Sequence, residues 1–195
     1  TIDFTKSHFI GCASGFGSAP KRTVLSFEPT SQARAMRTII TTYFTFSSGL
    51  TDLVLRTPDW STVGDSSYGI DIWAQTTLTR VMVEGFYKSN IFLHGGVTCC
   101  GPYNSRLVNV HSHYSREHGI LVGTGANVVS IYDSEAKWNG CPSYGTAPSS
   151  SGVYDGIHIE RDNAGNPGSR YLSYVMESLR IIGGDFSYNS RYGVN

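Results

Sequence analysis

The sequence predicts an all-β chain wound as a right-handed, single-stranded parallel β-helix, a solenoid, and three observations carry that prediction. Pairs of apolar residues recur at intervals close to one turn of a three-sided coil, each followed by small or polar residues and a second short strand often opened by Gly or Asn. Charged residues are 15% of 195, while Gly contributes 22 residues and Phe, Trp and Tyr together reach 12%, a balance that suits strands and turns with polar, uncharged faces. Amphipathic helical periodicity is lacking, apart from a short helical hint from Gln32 to Arg37.

Taken in order, residues 1–50 read as irregular early coils, and 51–195 as clear coils of one partial β-helix domain spanning 1–195. Leu53-Val54-Leu55-Arg56 leads to Gly69-Ile70-Asp71-Ile72, and Arg80-Val81-Met82-Val83-Glu84-Gly85 to Asn90-Ile91-Phe92-Leu93. Leu107-Val108-Asn109-Val110-His111-Ser112 leads to Gly119-Ile120-Leu121-Val122, and Val128-Val129-Ser130-Ile131-Tyr132-Asp133 to Gly156-Ile157-His158-Ile159. Leu179-Arg180-Ile181-Ile182-Gly183 leads to Gly193-Val194. Val83 to Val110 is 27 residues and Val110 to Ile131 is 21, whereas Ile131 to Ile181 is 50. Loop insertions at 141–154 and 161–174, both rich in Gly, Pro, Ser or Asn, account for the excess. One coil alone buries little, because its inward Val, Ile and Leu find partners only on the coils above and below. The chain halts inside a second strand at Gly193-Val194-Asn195, so the expectation is a segment of a longer β-helix. A β-sandwich would need hairpin-spaced alternation, and a doubly wound fold would need amphipathic helices.

Net charge is zero and no Lys/Arg cluster stands out, which argues against nucleic acid or an anionic membrane as partner and favours a neutral ligand. No run of eighteen apolar residues occurs, and Thr1-Ile2-Asp3-Phe4 has no signal-peptide character. Cys12, Cys99, Cys100 and Cys141 lack paired CxxC spacing and read as buried or incidental thiols.

With the pattern V-x-V-x-(small) followed by N/H-G-I-x-V, the chain from Leu53 to Asn195 resembles the pectate-lyase-like superfamily of right-handed parallel β-helices, and within it bacteriophage tailspikes and capsule depolymerases. The resemblance implies a homotrimer on a virion tail, or another extracellular setting, that binds and often cleaves a bacterial surface polysaccharide. It brings no catalytic signature that maps residue by residue onto this chain.

Stacked coils convert sequence positions into outward columns with neighbours about 4.8 Å apart. One column reads Arg56, Glu84, His111, Tyr132 and Ile182, a second Tyr87, Tyr114, Glu135 and Asp185, and the second strand supplies Asp71, Phe92, Leu121 and His158. Glycosidic cleavage needs two carboxyl groups, so Glu84, Glu135 and Asp185 are candidate catalytic residues, with His111 as an imidazole tuned by Glu84. Glu135 and Asp185 on adjacent coils, about 5 Å apart, would suit retention; Glu84 and Asp133, about 9 Å apart, would suit inversion. Asp133 also reads as a tight-corner residue. Sugar rings pack on aromatic faces, which makes Tyr87, Tyr114, Tyr132 and Trp138, together with Arg56, the candidate substrate-binding residues. His111 and His113 share a strand face, but no third ligand stands out, so neither a metal nor another cofactor is expected. The sequence therefore points to a tailspike-type receptor-binding protein with endo-glycosidase activity. Its rivals are a polysaccharide lyase and a non-catalytic adhesin or spacer.

Overall fold

Runs such as Leu53-Val54-Leu55-Arg56 form strands because every second side chain is apolar and can be buried while the alternate ones face out. The computed structural model describes residues 1–5, 7–11, 23–27, 34–38, 48–57, 67–93, 102–123, 126, 128–143, 145–150, 152–160 and 178–195. Among these the chain is all-β, and its strands are shared in strict rotation between three parallel sheets.

The first sheet stacks β1 (Ile2–Asp3), β4 (Arg34–Arg37), β7 (Tyr68–Ile72), β10 (Ser89–Leu93), β13 (His118–Val122) and β16 (Ile157–Ile159). The second stacks β2 (His8–Ile10), β5 (Ser48–Thr51), β8 (Thr76–Thr79), β11 (Arg106–Val108), β14 (Val129–Tyr132) and β17 (Leu179–Ile182). The third stacks β3 (Thr23–Ser26), β6 (Leu53–Arg56), β9 (Met82–Glu84), β12 (His111–His113) and β15 (Glu135–Lys137). Each pass of the chain thus adds one strand to each sheet, an arrangement compatible with a parallel β-helix. Isolated parallel bridges, Glu135 to Asp185 and Ile157 to Val194, carry the third and first sheets one pass further.

The core is built from columns of like residues in register. Met36, Ile70, Ile91, Ile120 and Ile157 form one, and Leu50, Leu78, Leu107, Ile131 and Ile181 another. All but Ile181 are essentially excluded from solvent. In these two columns each buried side chain meets an apolar residue of similar size on the neighbouring strands, as close packing of the interior requires.

Two sequence expectations are overturned here. The helical hint at Gln32 to Arg37 gives way to strand β4, whose Met36 lies between Ile2 and Ile70; pairing on both sides satisfies the backbone in place of a helix. The alignment of Val83 with Val110 and Ile131 is also replaced. Val83 is level with Ser112, which is level with Ala136, while Leu107, Ile131 and Ile181 belong to the second sheet.

The second and third sheets meet at a one-residue corner. Asp52, Arg80, Asn109 and Asp133 adopt left-handed φ of 56, 51, 52 and 45°, and Gly183 does so at 69°. Their backbones are joined in series: the amide of Asn109 donates to Tyr132 O and that of Asp133 to Ile182 O. Asp133 is therefore a corner residue, with Asp52, Arg80, Asn109 and Gly183 as its companions. At the opposite end of the third sheet, buried amides turn the chain toward the first. Asn90 Oδ1 accepts from the Phe86 amide at 3.1 Å, and Asn139 Oδ1 from the Ser115 amide at 3.1 Å. Asn189 Nδ2 donates to Ala136 O at 2.8 Å, and its Oδ1 accepts from Asn139 Nδ2 at 2.9 Å.

Candidate functional site

Because Leu55, Val83, Ser112 and Ala136 point inward, alternation turns their flanking residues to the outer face of the third sheet. Two columns result. One runs Arg56, Glu84, His113, Lys137; the other runs Val54, Met82, His111, Glu135 and, through the bridge, Asp185. Five sequence candidates, Arg56, Glu84, His111, Glu135 and Asp185, thus share one face. The pairing of Glu84 with His111 is corrected: Glu84 is level with His113, and His111 lies between Met82 and Glu135.

One oxygen organises this face. Glu135 Oε2 lies 3.2 Å from His113 Nε2, 3.6 Å from His111 Nδ1 and 3.4 Å from Lys137 Nζ. Lys137 Nζ is closer to Asp185 Oδ2, at 2.7 Å. That contact, with the Ser187 side chain and amide, holds the Asp185 carboxyl down at about 2, so it is ionised at neutral pH; the same contact raises the Lys137 ammonium. Burial, and then the charge of His111, push His113 down to about 4 against the pull of Glu135, which leaves its imidazole neutral.

Beside the cluster stands an aromatic ladder. Tyr114 and Trp138 stack with centroids 5.4 Å apart and planes 10° from parallel, and Trp138 and Tyr188 do so at 5.8 Å and 11°. All three occupy left-handed backbone, with φ of 56, 53 and 56°. On these three successive passes the turn from the third sheet into the Ser/Asn row takes a left-handed residue, and each time it carries an aromatic ring. His113 meets the Trp138 ring edge-on at 5.3 Å, which joins the ladder to the charged cluster. Between the ladder and residues 145–150 lies a groove of about 480 Å³. The Cys141 thiol fixes its wall, lying 2.8 Å from Trp138 O and 3.2 Å from Thr146 O, and burial pushes that thiol up to about 11. Cys12, Cys99, Cys100 and the insertion at 161–174 lie outside the described residues.

Two candidates fall elsewhere. Tyr132 lies on the second sheet, lining a polar pocket of about 210 Å³ with Arg106, Ser130 and Arg180. Tyr87 sits on the bend toward the first sheet, with the Arg116 guanidinium 4.7 Å from its ring centre. Sequence reasoning named His113 only as the strand companion of His111, not as the neighbour of Glu84, and missed the bridging Lys137 and the third ladder ring, Tyr188. An available signal for the last was an aromatic followed by Ser or Asn, at Tyr114-Ser115, Trp138-Asn139 and Tyr188-Asn189.

A second ionic cluster joins first-sheet passes. The Asp155 carboxylate, wholly buried, accepts from Arg191 Nε and Nη2 at 2.8 and 2.5 Å, from His158 Nδ1 at 2.8 Å and from the Tyr192 amide at 3.2 Å. Burial alone would raise its pKa, but these donors outweigh it and hold Asp155 at about 2. The His118 ring stacks on His158 at 4.2 Å, and its Nδ1 accepts from the Asp155 amide at 3.1 Å.

Two groups of described residues bring three metal-ligating atoms together: His111, His113 and Glu135, and His118, Asp155 and His158. The second is committed to Arg191, because both Asp155 oxygens already carry guanidinium hydrogen bonds; in the first, no guanidinium contacts the Glu135 carboxylate in the ion pairs described, and Lys137 Nζ stands 3.4 Å from its Oε2. Compared with family models, with curated proteins and with solved structures, the chain matches none.

Proposed function

We propose that this chain is a right-handed parallel β-helix of the tailspike and capsule-depolymerase type, which recognises an extended bacterial surface polysaccharide along the outer face of its third sheet. The observation that carries the reading is the continuous stack of Tyr114, Trp138 and Tyr188 along a groove of about 480 Å³, with charged and imidazole groups at its side. Stacked rings on successive passes match the repeat of a polymer, offering apolar platforms to pyranose faces while the adjacent polar groups serve hydroxyls. In this reading the protein acts as a homotrimer on a virion tail or in another extracellular setting.

Endo-glycosidic cleavage is the second reading, favoured by one distance relation. Lys137 Nζ touches both Glu135 Oε2 at 3.4 Å and Asp185 Oδ2 at 2.7 Å, so those oxygens are no more than about 6 Å apart, near the separation found in retaining enzymes. Asp185, ionised, would be the nucleophile and Glu135 the proton donor; Glu84 and His111 flank them.

The test is affinity electrophoresis of the chain through gels cast with purified capsular and O-antigen polysaccharides, with mass spectrometry of the recovered polymer. Retardation by at least one polymer, weakened at least about tenfold in Trp138→Ala, is expected from the loss of a stacking platform. Fragments with saturated ends mean hydrolysis, unsaturated ends that absorb in the ultraviolet mean a lyase, and intact polymer means a non-catalytic binder. Equal retardation of Trp138→Ala and the parent chain would remove the ladder from recognition.

A further inference from the structure

The strands β12 and β15 bring two imidazole nitrogens to bear on a single carboxylate oxygen. His111 and His113 lie two residues apart on β12, so both rings leave the same face, and His111 is level with Glu135 on β15. One ring nitrogen of each histidine and a Glu135 oxygen all lie within 4.8 Å of one another. A tetrahedral zinc ion holds N and O ligands at about 2.0–2.2 Å, which places the ligand atoms roughly 3.3–3.5 Å from each other. The two distances from Glu135 Oε2, 3.2 Å to His113 and 3.6 Å to His111, bracket that edge length.

We infer that His111, His113 and Glu135 form a binding site for a divalent transition-metal ion of the zinc type, with the remaining coordination position turned to the aromatic groove. Two imidazoles and one carboxylate suit zinc, copper or iron better than calcium or magnesium, which select oxygen donors. Lys137 is the group that would oppose a cation here, at 3.4 Å from Glu135 Oε2. Its shorter bond is to Asp185 Oδ2 at 2.7 Å, which leaves Glu135 Oε2 available for coordination. The His113 ring also contacts Trp138 edge-on, so the ion would stand beside the ladder, where its open position can take a sugar hydroxyl or carboxylate. This last role rests on the polysaccharide reading; the site itself does not. In the metal-loaded protein Glu135 is a ligand and no longer a proton donor, so metal binding and two-carboxylate hydrolysis are alternatives at that residue.

The experiment is zinc binding by the full chain, measured by calorimetry with zinc chloride and by metal content after gel filtration, without any glycan. Cobalt(II) gives a second readout, since tetrahedral N/O coordination produces intense visible bands. One equivalent of zinc is expected, weakened at least about tenfold in His111→Ala and in Glu135→Gln, while His158→Ala in the Asp155 cluster retains it. His111 and Glu135 side chains are 25% and 29% exposed, so these variants preserve the fold where His113→Ala, at 8%, risks it. Failure to retain zinc, or binding unchanged in both His111→Ala and Glu135→Gln, would overturn the site and leave the ladder reading standing. Zinc bound by a chain that no polysaccharide retards would do the reverse.

Discussion

Asn109 shows what a single position demands of its residue. Its φ is 52°, it is exposed, and its amide continues the corner series through Tyr132 O, so its contribution is backbone conformation rather than side-chain packing. Asn and Asp tolerate left-handed backbone because their short polar side chains can satisfy local groups, whereas a β-branched residue clashes with the following carbonyl. Asn109→Val is expected to lower unfolding free energy by about 1–2 kcal/mol, and Asn109→Gly to leave it nearly unchanged, as read from urea midpoints at constant slope. Arg80 meets the same requirement by a different route, with its guanidinium clamped by Asp52 at 2.6 and 2.7 Å. Trp138 is the position where this economy touches function. The turn needs a left-handed residue there, and a large ring on that residue is held outward over the groove.

At the scale of elements, the row of Ser115 and Asn139, both buried, with the partly buried Asn189, determines whether the ladder stays in register. Asn139 Oδ1 receives the Ser115 amide and, at 2.9 Å, the Ser115 hydroxyl, while its own amide and Nδ2 reach Asn189 Oδ1. Asn139→Ala leaves those buried groups without partners, each costing about 1–3 kcal/mol, so a loss of at least about 2 kcal/mol is expected. For a chain of this size that corresponds to a fall in Tm of roughly 4–8 °C. Near-ultraviolet circular dichroism should change with it, because Trp138 and Tyr188 flank this row. Thr146→Ala, which removes an exposed loop hydroxyl, serves as the control. A cooperative transition at unchanged temperature in Asn139→Ala would show that the row does not set the stack.

Across the whole molecule, acid should weaken the fold in two steps, and the first-sheet clasp contributes to both. Burial, and then the charge of His158, hold His118 at about 4, against the attraction of Asp155; Arg191 and Lys88 also oppose its protonation. Its folded pKa is thus below the value of about 6.5 for an unfolded histidine. Between those two values the unfolded chain binds a proton that the folded chain refuses, so stability present above pH 6.5 is lost as pH falls toward 4, by up to about 3 kcal/mol. Asp155 acts in a lower window: held at about 2 in the fold, it contributes stability above the ordinary carboxylate pKa that is lost as pH drops from there through 2. Tm measured from pH 7.5 to 3 should decline below 6.5, and His118→Asn, which keeps an acceptor for the Asp155 amide, should make the upper limb shallower, the remainder belonging to His113, which is held at about 4 as well. A flat profile for the parent chain between pH 6.5 and 4 would refute the assignment. The clasp ties β13 and β16 to residues 191–195, so its loss would loosen three successive passes together.

By itself, the sequence determined that the chain is all-β, that passes are parallel and repeat, and which residues form the first sheet from β7 to β16. There, Gly-Ile-x-Ile and its variants put large apolar residues at both inward positions, so Ile70, Ile91, Ile120 and Ile157 align by inspection. Arg56, Glu84, His111, Glu135 and Asp185 were likewise recognisable as outward residues, because alternation needs only local pattern. What tertiary structure decided is which of them meet. In the third sheet the inward positions of two passes are Ser112 and Ala136, too small to mark a strand, and the one-residue corner at Asn109 separates Leu107, on the second sheet, from Val110, which leads into the third, while the segment resembles one strand. The apolar pattern therefore slid onto the neighbouring sheet, separating Glu84 from His113 and hiding Glu135 as the partner of both histidines. Register is a property of the stack, set by hydrogen bonds between residues distant in sequence, and no single pass contains the information that fixes it.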